Sequence, residues 1–133
     1  MQVVATGRAA SRWYPGRVPE RRSVAELLAA QRADTLQRLT ELEREFAGIL
    51  EASAAAGIDD EHDPEGATIA FEREHAAALL AQARLHLAQI DAAVLRLAEG
   101  RYGTCETCGQ PIGTARLAAR PVAATCINCA SRR

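Results

Sequence analysis

Residues 69–97 read IAFEREHAAALLAQARLHLAQIDAAVLRL. Steps of four and three from Ile69 land on Arg73, Ala76, Leu80, Ala83, Leu87, Ile90, Val94 and Leu97, and all but Arg73 are apolar. An apolar residue every 3.5 positions on average marks a helix that buries one narrow stripe against another helix. The partner lies upstream. Leu28, Arg32, Thr35, Leu39, Leu42, Phe46 and Ile49 repeat the spacing, and Leu36 and Leu50 widen the stripe. Ser23 and Glu26 form a capping box ahead of it, and Gly57 and Gly100 stand where the two helices would stop. The helices predicted over 24–56 and 69–99 have matching lengths, roughly 45–50 Å at about 1.5 Å per residue. The short stretch 57–68 joins them. A short connection gives each stripe a partner in its own chain at high effective concentration. The pattern therefore predicts an antiparallel coiled-coil hairpin over 23–99 and a monomer, ahead of an intermolecular dimer.

Composition sets the same limits. A chain of 133 residues makes one domain or two small ones. Apolar residues are 48% of it, but 29 of them are alanine, whereas Leu, Ile, Val and Phe together number 27. That is enough for a thin seam and not for a thick globule. Net charge is −1, with no lysine at all, which excludes a protein that coats nucleic acid by bulk charge. The charge is segregated: residues 59–65 carry −5 and residues 101–133 carry +4. No apolar run approaches the ~18 residues of a membrane span, and the N-terminus has no apolar core of a secretory signal. The expected location is the cytoplasm, where thiols stay reduced. Residues 1–22, with Gly7, Pro15, Gly16, Pro19, five arginines and no periodicity, read as a flexible basic arm around Trp13 and Tyr14.

The connection 57–68 holds five carboxylates, Asp59, Asp60, Glu61, Asp63 and Glu65, together with His62. They are expected at the far tip of the hairpin. Asp63-Pro64 also reads as an N-cap followed by the first residue of the second helix. An EF-hand loop is excluded, because Pro64 stands where that loop needs glycine.

At the other end, Cys105-Glu-Thr-Cys108 is followed after seventeen residues by Cys126-Ile-Asn-Cys129. Two CxxC pairs at this separation are a strong metal signature, because each pair sets two thiolates on one tight knuckle and two knuckles close a tetrahedron. The predicted ligands are Cys105, Cys108, Cys126 and Cys129, and the predicted cofactor is one structural Zn²⁺ with no position left for a catalytic water. Gly109 is expected at positive φ, turning amides toward the sulfurs. Disulfides and an iron–sulfur cluster are weaker readings. Residues 100–133 contain few bulky side chains, so the metal is expected to do most of the folding of this module.

The stretch Gly100-Arg-Tyr-Gly-Thr-Cys105-Glu-Thr-Cys108-Gly, then Ile112-Gly, Arg116-Leu-Ala-Ala-Arg-Pro121 and Cys126-Ile-Asn-Cys129, resembles the DksA/TraR-type zinc-finger family. The hairpin and its acidic connection fit the same architecture, so the resemblance extends over roughly 23–130. It implies a bacterial transcription regulator that binds RNA polymerase, inserts its coiled coil into the secondary channel and brings the acidic tip near the catalytic Mg²⁺, often together with ppGpp. Two departures stand out. The family tip Asp-x-x-Asp-x-Ala has Gly66 and Thr68 in its second and third places when read from Asp63; read from Asp60 it keeps Asp63 and has Glu65 for alanine. The absence of lysine leaves ppGpp without its usual partners, with Arg84, Arg96 and Arg101 as the substitutes on offer. The chain runs four residues past Cys129, so a longer C-terminal helix is not expected to take part.

Two other classes fit the sequence less well. In the alternative to polymerase binding, a nucleic-acid-binding zinc-finger protein dimerises through the coiled coil. Its arginines are spread out with no aromatic platform, so direct DNA binding is not expected. An enzyme is not expected either, since His62, His75 and His86 pair with no nucleophile at a known spacing. Oxidation of the thiolates with loss of metal stays open.

Overall fold

The computed structural model describes residues 21–55 and 64–132, with side chains described from Ser23 in the first helix and from Gly66 in the second. The elements are α1 (Arg21–Ala55), α2 (Pro64–Ala98), α3 (Thr114–Ala119) and α4 (Ile127–Ala130). α1 and α2 have 35 residues each, about 52 Å at ~1.5 Å per residue, and they pack along one another as an antiparallel pair. The fold is mainly α: a long helical hairpin with a small four-cysteine module at its base.

The stripe reading explains most of the seam. Leu39, Leu42 and Leu80 form a buried cluster midway along the rod, with Phe46, Leu79, Ala83 and Leu87 packed around it. Nearer the base, Val24, Leu28 and Ala93 form a second cluster that Leu97, Tyr102 and Val122 complete. Alanines at 76 and 93 let the two backbones approach closely.

Three seam positions differ from expectation. Arg32 is exposed and reaches across to Asp91 at 2.8 Å, while Gln31 takes the inward place. Arg73 is exposed. Val94 is 42% exposed and Ala93 is fully buried in its stead. The reason for the last lies at the base. There α2 must pack on two surfaces, α1 and the cysteine module, so its buried face rotates back by one residue and drives Arg96 inward as well.

The helix ends differ too. α1 begins at Arg21, so Ser23 lies inside the first turn and not at the cap. α2 begins at Pro64, five residues before Ile69, because a proline's fixed φ suits the first helical position. Residues 64–68 are helical, as Pro64 read as a first helical residue requires, although the apolar repeat starts only at Ile69. Asp59, Asp60, Glu61, His62 and Asp63 lie outside the described residues, as do the side chain of Glu65 and the arm through residue 20 with Trp13. No helix among the described residues is long and apolar enough to cross a membrane.

Candidate metal centre

The segment after α2 is a chain of tight turns. Gly100, Gly103, Gly109 and Gly113 all have positive φ. The first knuckle is closed by the Cys105 amide donating to Gln110 O (2.8 Å) and the Gly109 amide donating to Cys105 O (2.9 Å). Gly109 thus turns as expected, at φ +72°, but its own amide serves a carbonyl and not a sulfur. A short bridge pairs Thr104 with Pro111, and the Ile112 amide donates to Gly103 O. The second knuckle is the start of α4, with Cys126 at its N-cap and the Ala130 amide on Cys126 O. The Glu106 amide donates to Ala124 O at 2.9 Å and ties the two knuckles together.

These turns gather Cys105, Cys108, Cys126 and Cys129 so that their sulfur atoms all lie within 4.8 Å of one another. Four sulfurs at tetrahedral corners about 2.3 Å from Zn²⁺ lie about 3.8 Å apart. The Cys108 and Cys126 sulfurs are 3.8 Å apart. All four cysteines are free, so no disulfide competes for them. The donor set and spacing fit one structural zinc ion, and among the described residues no histidine or carboxylate joins the group.

Two of the thiols are biased toward the thiolate that a metal takes. Backbone amides, that of Cys126 foremost and then Cys108, hold the Cys105 thiol down to about 6, against the cost of burial. The Cys129 amide does the same for Cys126 in direction. Cys129 is pushed up to about 12, chiefly because its proton is shared with Cys126. The cluster cannot hold four bare thiolates side by side, and a divalent cation relieves that repulsion by displacing the shared protons.

Around the sulfurs the module has a core of its own. Ile112 and Ala123 pack with Cys105 and Cys126, and Leu117 and Cys129 close the cluster. The Arg116 guanidinium donates to Thr125 O at 2.8 Å and fixes α3 against the second knuckle. Tyr102 and Val122 turn the other way, onto the rod. Tyr102 donates its hydroxyl to Pro121 O at 2.7 Å, and burial pushes its phenol above the usual value. Of the bulky residues in the module only Ile127 is left largely exposed.

Arg96 is the functional residue that pattern reading misplaced. Its side chain is 6% exposed, donates to Val122 O at 3.1 Å and lies 3.6 Å from Glu106. The guanidinium thereby bolts the last turn of α2 to the module. The other two arginines offered for ppGpp are also engaged, Arg84 with Glu43 and Arg101 with Glu99. A hint was available: Arg96 precedes the seam residue Leu97 in the last turn of a helix, where a cation favours the carbonyl end.

The family described as "Prokaryotic dksA/traR C4-type zinc finger" matches residues 100–133. The RNA polymerase-binding transcription factor DksA of Caulobacter vibrioides (strain NA1000 / CB15N) is 46% identical over 46 residues, which cover 35% of this chain and 32% of that protein. The uncharacterized protein YteA of Bacillus subtilis (strain 168) is 39% identical over 66 residues, 50% of this chain and 28% of that protein. The matched segments thus span about a third or less of these curated relatives. The solved structure of transcription factor DksA2 from Pseudomonas aeruginosa is similar over 96% of this chain and 90% of that one, with a TM-score of 0.68 and 31% identity.

Proposed function

Because the chain belongs to the DksA/TraR zinc-finger family, we propose that it is a transcription regulator that binds bacterial RNA polymerase and acts through the tip of its hairpin. The observation that carries the reading is the likeness to a transcription factor across nearly the whole chain, hairpin and finger together, at 31% identity. The shape supports it. Two helices side by side make a rod only about 20 Å across, narrow enough to enter the secondary channel where a globule is refused.

In this reading the arm 1–22 precedes the hairpin 23–99, and the module 100–133 holds zinc through Cys105, Cys108, Cys126 and Cys129 and seats the rod. The acidic connection acts by charge on the metal and basic groups of the polymerase centre, with no bond made or broken. The register from Asp60 is favoured, because the register from Asp63 puts Gly66, half-buried in the first turn of α2, in the place of the second Asp.

The test is a pull-down with purified RNA polymerase, with and without a competitor that fills the secondary channel, followed by in vitro transcription. The wild-type chain should bind and be displaced by the competitor. The Asp60→Asn, Asp63→Asn pair should bind nearly as well and lose regulation. Binding that ignores the competitor refutes the channel, and regulation that survives the double change refutes the tip.

A further inference from the structure

The two flanks of the rod are not alike. On one, Arg32 meets Asp91 and Glu43 meets Arg84, so charged side chains bridge the seam. On the other, helix periodicity places Asp34 and Arg38 of α1 beside His86 of α2. There a groove of about 440 Å³ runs over Leu42, Leu79 and Ala83. Gln31 lies on the same flank, and its side-chain oxygen is buried with no hydrogen-bond partner among the described residues. Asp34 forms none of the ion pairs seen among the described residues. The open flank therefore offers an apolar floor edged by a carboxylate that holds none of these cations.

We propose that residues 1–20 double back along the rod and seat Trp13 in the end of this groove nearest the finger, beside Asp34, Arg38 and His86. The arm is tethered at the right end of the right helix, since it enters α1 at Arg21. Asp34 lies thirteen residues along α1, about 20 Å from Arg21 at ~1.5 Å per residue. Trp13 lies eight residues before Arg21, a reach of about 26 Å at ~3.3 Å per residue. With the reversal beside α1 at Pro19, residues 13–18 run back about 17 Å along the rod at ~3.3 Å per residue, and the indole itself spans the remaining few Å. The chemistry also matches. An indole pairs a large apolar face with one N–H donor, which suits a leucine-floored groove edged by the Asp34 carboxylate. Arg38 can lie over the ring face. Arg8, Arg12 and Arg17 bring positive charge to Asp34.

Trp13 is the only tryptophan in the chain, so its fluorescence reports the arm directly. The experiment uses the full zinc-loaded protein and, as the free-arm reference, a synthetic peptide of residues 1–20. The protein's emission should be shifted to the blue of the peptide's and be quenched less by acrylamide. The Asp34→Arg, Gln82→Arg pair makes the rim positive and should return both readings to those of the peptide, with helicity unchanged by circular dichroism. Emission equal to the peptide's in the wild type overturns the proposal. So does shielding that persists in the folded double variant, or shielding that grows with protein concentration, which assigns the groove to a second copy. Should the double variant fail to fold, magnetisation transfer in the wild-type protein decides: contacts between the indole ring and Leu79 or His86 support the docking, and their absence refutes it.

Discussion

Stripping the metal should unfold the finger and leave the rod, and the structure says by how much. Among the described residues α1 and α2 hold 70 of the 80 helical ones, and α3 and α4 hold ten. Loss of the finger alone therefore removes about an eighth of the helical signal. The base of the hairpin leans on the finger, because Val24, Leu28 and Ala93 are sealed by Tyr102 and Val122. If that layer melts too, Arg21–Leu28 and Ala93–Ala98 fray, and the loss rises to about three tenths. The middle of the rod has its own cluster around Leu39, Leu42 and Leu80 and should survive. The driving term is large, since structural zinc contributes on the order of 10 kcal/mol to a folded module of this kind. The assay is far-ultraviolet circular dichroism during titration with a zinc chelator, repeated on Cys108→Ser. A fall between an eighth and three tenths, restored by added zinc in the wild type only, is expected. No fall would mean that the finger folds without metal. A fall of more than half would mean that the rod has no stability of its own, and the division into two modules would be wrong.

Arg96→Met keeps the bulk of the side chain and removes its charge-assisted bond to Val122 O; such a bond is worth about 1.5–3 kcal/mol. Because Glu106 is half exposed and can return to water, the expected loss in urea unfolding is at the low end, with faster amide exchange over residues 120–124. Gly109→Ala meets no atom, so its cost is purely that of a side chain at φ +72°, about 1–2 kcal/mol. Chelator competition should show zinc held roughly tenfold more weakly, by the usual ~1.4 kcal/mol per decade. The raised Tyr102 phenol means that the folded state favours the protonated form. Its stabilising effect is complete below the unfolded phenol value of 10.0 and is lost as pH rises through the higher folded value. A tyrosinate absorbance titration should show one phenol ionising late, and Tyr102→Phe should remove that late step.

The long-range features were legible because each rests on one strong rule. A 3.5-residue apolar repeat specifies a helix pair whatever its neighbours are, and two CxxC pairs specify a four-sulfur cage whatever lies between them. What pattern reading misplaced lies where two modules meet. Val94 continues the repeat perfectly, yet it is exposed, since α2 packs on the finger as well as on α1 at that level. Arg96 looked like a phosphate ligand because a lone arginine on a helix gives no sign of what folds back over it from residue 122. The start of α2 was legible in Pro64, whose fixed φ suits a first helical residue, whereas the apolar repeat becomes visible only from Ile69.

The alanine content ties rod and finger together. Alanine at seam positions 76 and 93 brings the helices close and keeps the rod slender. It also leaves each such layer with little apolar area, so those layers stabilise the pair weakly. In the middle of the rod, leucines at 39, 42 and 80 make up the deficit. At the base the facing layer is Val24, Leu28 and Ala93, which is too small to exclude water from an open end by itself. Tyr102 and Val122 close that end, and the bonds from Tyr102 to Pro121 O and from Arg96 to Val122 O hold the closing segment in place. The sulfur cage fixes that segment in turn through Ala123 and Cys126. A slender alanine-rich hairpin and a metal-held finger are thus two halves of one solution: the narrower the rod is made, the more its open end needs a rigid lid.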